Sequence, residues 1–244
     1  MPLSPSREAE LRALITKPFA HRGLHGDGVP ENSRAAFQAA IAAGHGIELD
    51  VQASLMDEAV VFHDHELDRL TDSSGPVAAH HIEELEEIRL KGTHETIPWL
   101  NDILDLVAGQ VPLLIEMKSP RHYVKEFSDH VAFALRTYRG PVAVMSFNPK
   151  IGHWFARHAP DVLRGLVVSE EGKKGPRGWI ERQASLAWAR PDFLAYDIRD
   201  LPSRFAERAR DKGLKVLTWT VRSLADRARA AEHADQIIYE VLPK

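Results

Sequence analysis

The chain has 244 residues with 31 basic and 35 acidic side chains, a formal net charge of −4, and is 44% hydrophobic and 27% charged. That balance supports one large core of barrel size and gives no bulk electrostatic reason to bind nucleic acid or an anionic membrane. Disulfides and thiolate metal sites are excluded by the lack of cysteine, and with no signal-type apolar core and no run near ~18 apolar residues the expectation is a cytoplasmic protein without stable membrane insertion.

A leading helix is predicted over 4–15. Apolar β-rich runs then alternate with alanine-rich amphipathic runs. Strands are predicted over 18–23, 46–54, 111–118, 141–147, 162–169, 193–198, 215–221 and 236–241. Helices are predicted over 31–43, 97–108, 123–138, 149–158, 179–189, 203–212 and 224–233. Eight strands, with a helix after each of the first seven, predict an α/β fold of the (β/α)8 TIM barrel type in one domain over 1–244. The leading segment (1–17) covers the barrel, and no full eighth helix is expected. A doubly wound sheet is the structural alternative. The alternation breaks after strand two, where 55–58 reads as a tight turn and 59–63 as a returning strand. This predicts a β-hairpin insertion, followed by a long charged connection over 64–96.

Side chains two apart on a strand share a face. Glu48 and Asp50 therefore face one way, while Ile47, Leu49 and Val51 face the other. In 113–118, Glu116 and Lys118 share a face opposite Leu113, Ile115 and Met117. Three inward carboxylates repel each other and resist desolvation. One divalent cation, Mg²⁺ or Ca²⁺, would relieve both, since oxygen-only ligands suit a hard ion. The alternative is a structural ion-pair network with Lys118 and Arg22. His21 ends strand one on the same rim, and the hairpin returns His63 to the neighbourhood of Asp50. Two imidazoles beside a cation can act as general acid and base. His65 would join only if it shared the inward face. Pro30-Glu31-Asn32-Ser33 reads either as a helix start capped by Asn32 or Ser33, or as a source of a further metal oxygen from Glu31. Arg22 and Lys118 suit an anionic group, best a phosphate.

The ordered motifs His21-Arg22-Gly23, Pro30-Glu31-Asn32-Ser33, Glu48-Leu49-Asp50-Val51, Val61-Phe62-His63-Asp64, Leu67-Asp68-Arg69-Leu70-Thr71 and Ile115-Glu116-Met117-Lys118 resemble those of the glycerophosphodiester phosphodiesterases. Ser146-Phe147-Asn148-Pro149 and Thr218-Trp219-Thr220-Val221 resemble that family's later landmarks. The resemblance implies a metal-dependent phosphodiesterase that hydrolyses small-molecule glycerophosphodiesters to an alcohol and glycerol 3-phosphate. It implies metal ligands at Glu48, Asp50 and Glu116, with Glu31 beside or on the metal, and His21 and His63 as the acid–base pair. In the implied route a substrate hydroxyl attacks phosphorus to give a cyclic phosphate, which water opens. A lysophospholipase D-like or other lipid diesterase, and a non-catalytic phosphodiester-binding barrel, are the alternatives. The sequence departs from the family's pattern at Asp57-Glu58 in the turn, at Arg222 where Asn is common, and at Tyr239-Glu240 in place of a Thr-Asp type ending. Trp219 is read either as a pocket residue or as packing. Lys173, Lys174 and Arg177, in the loop 169–178, make either a cationic lid or a solvated loop.

Overall fold

The computed structural model describes residues 4–26, 28–119 and 124–240. In chain order these form α1 (Pro5–Leu14), β1 (Phe19–Ala20), α2 (Arg34–Ala42), β2 (Gly46–Ala53), β3 (Ala59–Val61), α3 (Ile82–Glu87) and α4 (Leu100–Val107). Then come β4 (Leu113–Met117), α5 (Lys125–Leu135), β5 (Val142–Ser146), α6 (Pro149–His158), β6 (Leu163–Val168) and α7 (Pro176–Ala189). The last elements are β7 (Phe193–Asp197), α8 (Arg204–Asp211), β8 (Lys215–Val221), α9 (Leu224–His233) and β9 (Gln236–Tyr239). No helix among the described residues is long and apolar enough to cross a membrane.

The strands run in the order β1-β9-β8-β7-β6-β5-β4-β2-β3, and β1 also pairs with β2. All these pairings are parallel except β2 with β3. Setting β3 aside, the parallel strands close into the expected eight-stranded barrel, so the doubly wound alternative does not hold. The β2–β3 hairpin turns through Asp57, whose φ of 62° and carbonyl contact with His130 Nδ1 (2.8 Å) fix the tip. No helix follows β9 among the described residues. Predicted bounds at Tyr123 and Val241, and the domain ends 1–3 and 242–244, lie outside the described residues.

The alternation read from the strands sorts the core into layers. Ile47, Leu49, Val51, Leu113 and Ile115 pack outward with helix residues such as Phe37, Ile103 and Val131. Inside the barrel, Phe19, Leu114, Met145, Phe193, Leu217 and Ile238 form a second cluster. Leu11 and Leu14 of α1 enter that cluster from the N-terminal ends of the strands. Burying each contributes about 1.5–3 kcal/mol. Arg7 anchors the same helix: its Nε donates to Asp192 Oδ1 (2.7 Å), and its Nη groups donate to the carbonyls of Pro160 and Val162.

The connection over 64–96 departs from expectation. It contains α3 and its own small core of Phe62, Leu67, Val77, Ile82, Leu85, Leu90 and Ile97. Its apolar residues are too irregularly spaced to signal one period, yet they converge beneath the hairpin. The first strand is shorter than predicted, because the chain turns sharply after Ala20. Arg22 (φ 57°) and Gly23 (φ 78°) are left-handed, and a Cβ on Gly23 would sit 2.8 Å from that of Ala36. That close approach seats α2 against the turn and delivers His21 and Arg22 to the rim.

Candidate active site

The β2–β4 register sets Asp50 directly beside Glu116, and Glu48 lies two residues earlier on the same face. One oxygen from each of Glu48, Asp50 and Glu116 lies within 4.8 Å of the others. All three residues are buried. Glu48 Oε1, Asp50 Oδ1 and Glu116 Oε1 have no hydrogen-bond partner. Lys118 Nζ stands 3.0 Å from Asp50 Oδ1 and 2.7 Å from Glu116 Oε1, pairing one ammonium with two carboxylates. Burial, and then the Asp50 charge, push the Glu48 carboxyl up to about 8. Burial also works to raise Asp50, but Lys118 and Arg22 overcome it and hold Asp50 at about 2. The ammonium thus satisfies part of the triad and leaves Glu48 short of positive charge. Three convergent carboxylates, two of them paired to the single Lys118 ammonium and one with an oxygen left unpartnered, are an oxygen donor set that suits a hard divalent cation, so the residues fit such an ion.

Asp50 is held on its other side by Asn32. Asn32 Nδ2 donates to Asp50 Oδ2 (3.0 Å), and Asn32 Oδ1 accepts from the Asp50 backbone N–H (3.2 Å). Ser33, not Asn32, caps α2. Asn32 instead takes a left-handed φ of 54°, a strained conformation that turns its amide into the site. Glu31 lies outside the triad. Its Oε1 accepts from Arg22 Nη1 and Arg69 Nη2, both at 2.7 Å. Arg22 also places Nε 3.2 Å from Asp50 Oδ2 and donates its backbone N–H to Glu48 Oε2 (3.0 Å).

The histidines flank the acids. His21 Nε2 lies 3.9 Å from Glu48 Oε2, and Nδ1 donates to Glu240 Oε1 (2.5 Å). Burial lowers the affinity of this ring for a second proton, but Glu48 and Glu240 outweigh it and raise the pKa above its ordinary value. His63 follows the hairpin strand, where Phe62 N–H donates to the Asp50 carbonyl (3.1 Å). Its Nδ1 donates to Asp64 Oδ1 (2.6 Å), and its carbonyl accepts from Gln52 Nε2 (2.6 Å). Burial pulls the His63 pKa below its ordinary value. His65 faces away to Gln52 Oε1 (3.2 Å).

His21, Arg22, His63, Glu116, Lys118 and Trp219 line one cavity of about 300 Å³. Trp219 forms its far wall, edge-on to the exposed Phe147 ring at 5.6 Å, with Nε1 donating to the Ala195 carbonyl. Trp219 therefore packs against the barrel and lines the cavity at once. A larger groove of about 830 Å³ lies at the opposite end, among α1, α5 and α6, and neither the triad nor these histidines reach it. The loop after β6 is pinned rather than free. Glu170 accepts from Tyr196 and Ser203 and pairs with Arg182, while Lys173 and Lys174 turn to Glu181 and Asp200. Asn32 and Asp64 sit inside motifs singled out from the sequence, and Glu240 at a departure from the family's pattern, but their contacts with Asp50, His63 and His21 were not read from it.

The model of the glycerophosphoryl diester phosphodiesterase family matches residues 21–239. The glycerophosphodiester phosphodiesterase of Caldanaerobacter subterraneus subsp. tengcongensis is 30% identical over 226 residues, covering 88% of this chain and 90% of that protein. A phosphodiesterase of Oleispira antarctica, solved in complex with the product sn-glycerol-3-phosphate, superposes with a TM-score of 0.81 at 24% identity over 93% of each chain. A solved protein of Silicibacter pomeroyi DSS-3 superposes with a TM-score of 0.80 at 27% identity, over 95% of this chain and 93% of that one. With the match beginning at His21 and running through the triad to β9, the chain belongs to the glycerophosphoryl diester phosphodiesterase family.

Proposed function

We propose that the chain hydrolyses small-molecule glycerophosphodiesters to an alcohol and glycerol 3-phosphate, with one divalent cation, Mg²⁺ or Ca²⁺, held by Glu48, Asp50 and Glu116. The observation that carries this reading is the pair of histidines on one cavity beside three convergent buried carboxylates, of which Glu48 keeps an oxygen without any partner. The cation, when bound, supplies Lewis-acid polarisation of the phosphoryl oxygens. Arg22 and Lys118 bind and orient the phosphate. Glu31 serves through Arg22, holding its guanidinium, and is not needed as a ligand. Trp219 shapes the pocket for the organic group.

His63 serves as the base, and His21, whose Nδ1 is backed by the Glu240 carboxylate, as the acid. His63 takes the proton of a substrate hydroxyl as its oxygen bonds to phosphorus. His21 gives a proton to the departing alkoxide as the P–O bond breaks. Water then opens the cyclic phosphate with the two roles reversed, which restores both rings.

The test is release of glycerol 3-phosphate from glycerophosphocholine, with and without EDTA. EDTA is expected to abolish turnover and added Mg²⁺ or Ca²⁺ to restore it. His21→Ala should lower kcat by about 10²–10⁴-fold. Full activity in EDTA, or in His21→Ala, would overturn the mechanism.

A further inference from the structure

We propose that Glu240, clamped by Arg222, is the positioning residue that fixes the tautomer and direction of the His21 ring. The inference rests on His21 acting as proposed above. Glu240 sits just past β9, and its backbone N–H is tied to the Val221 carbonyl at the end of β8 (3.1 Å). Its Oε1 accepts from His21 Nδ1 (2.5 Å). The same carboxylate is gripped at two points by Arg222, Nε to Oε2 at 2.6 Å and Nη2 to Oε1 at 3.0 Å. A two-point guanidinium grip leaves a carboxylate little rotational freedom.

The chemistry of the acceptor decides the tautomer. Burial favours the neutral acid at Glu240, but His21 and Arg222 outweigh it and keep the carboxyl well below the usual range. An ionised carboxylate only accepts, so Nδ1 must carry the hydrogen. The neutral ring then presents a bare Nε2 on the side of Glu48 and the cavity. Without Glu240 nothing at Nδ1 selects that tautomer.

The arrangement recurs at the second histidine. His63 Nδ1 donates to Asp64, which is held by Arg69 through Nε and through Nη2 (3.1 Å). Each imidazole thus carries a carboxylate behind it and an arginine behind that. Asp64 is a sequence neighbour of His63, whereas Glu240 comes from 219 residues away. Arg222 also lines the cavity and is more than half exposed, so direct contact with substrate is the rival role. Its engagement with Glu240 argues for the clamp.

The experiment combines ¹⁵N NMR of the histidine-labelled protein with kinetics on Glu240→Ala, Glu240→Gln, Arg222→Ala and the Glu240→Ala/Arg222→Ala double variant. At a pH where the ring is neutral, wild-type His21 should show a protonated Nδ1 and a bare Nε2, and Glu240→Ala should lose that preference. Glu240→Ala should lower kcat by about 10²-fold with little change in KM, and Glu240→Gln, whose carbonyl still accepts, should recover about tenfold of it. Arg222→Ala should lower kcat by about tenfold in the wild type, but by less than about twofold in Glu240→Ala. Protonation of Nε2 in the wild type would overturn the proposal. So would an Arg222→Ala loss that is equal in both backgrounds and falls on KM. If wild-type protein turned over no diester, the functional reading would fail while the NMR comparison still decided this one.

Discussion

The two ends of the barrel bury their side chains by opposite means. At the N-terminal ends of the strands, Leu11 and Leu14 fill the lumen, and Arg7, paired with the buried Asp192, has its donors met by carboxylate and carbonyl oxygens. At the C-terminal ends, three carboxylates are buried with an oxygen of each within 4.8 Å of the others, and one ammonium, Lys118, is shared between Asp50 and Glu116 while a Glu48 oxygen has no partner. A satisfied pair and an apolar plug stabilise. A crowded, under-compensated triad costs stability and persists because it does something else. The difference separates the part of the chain that holds the barrel together from the part that would use it.

The largest effect that could break this contrast is at the triad. Glu48→Gln should lower kcat/KM by about 10³-fold or more while leaving the fold intact. In cation-free protein at about pH 9 it should raise Tm, because it removes a buried charge. A fall in Tm there would mean that the triad stabilises the barrel.

Next in size is Leu14→Ala at the other end. It should cost about 2–5 kcal/mol, a Tm drop of about 5–15 °C, because the plug leaves a cavity. Turnover per folded molecule should stay within about twofold, since Leu14 lies at the end of the barrel opposite the triad and the two histidines. A large loss of kcat at full folding would couple the two ends.

The third measurement is stability against pH. Glu48 is raised from 4.5 to about 8, so its contribution is present in full below 4.5 and is lost as pH rises through about 8. His21, also raised, acts in the same direction above its ordinary value of 6.5. Asp50, near 2, is ionised in both states in this range, and His63, lowered, is largely neutral in both, so neither adds slope. Cation-free protein should therefore lose Tm between about pH 6.5 and pH 8 and level off above that, and saturating Mg²⁺ or Ca²⁺ should flatten the fall. An unchanged slope with cation would remove Glu48 from the ion's ligands. The smallest effect is expected at Lys173→Ala in the loop after β6. Its exposed pair with Glu181 is worth under about 1 kcal/mol, and activity should stay within about threefold. A tenfold rise in KM would restore the cationic-lid reading.

Much of this was legible because the barrel repeats one simple alternation. Leu49 between Glu48 and Asp50 is enough to say which side packs and which side is charged. The hairpin was legible because the returning run is short and apolar. The small core under 64–96 was not, since Leu67, Val77 and Leu90 follow no single period and meet only through tertiary contact. Asn32 and Ser33 both read as possible caps because their side chains suit that task, and Ser33 takes it. What overrides the propensity at Asn32 is a left-handed backbone that no local pattern encodes. Glu31 read as lying beside or on a metal, and nothing in its own segment announces that Arg69, 38 residues on, will also hold it.

The closing seam between β1 and β9 has a consequence for biosynthesis. His21 is made early and Glu240 late, and they meet only where the first strand pairs with the last. Until the last strand is made, His21 lacks the carboxylate that holds its Nδ1. If Glu240 positions His21 as proposed, turnover reports whether the circle has closed.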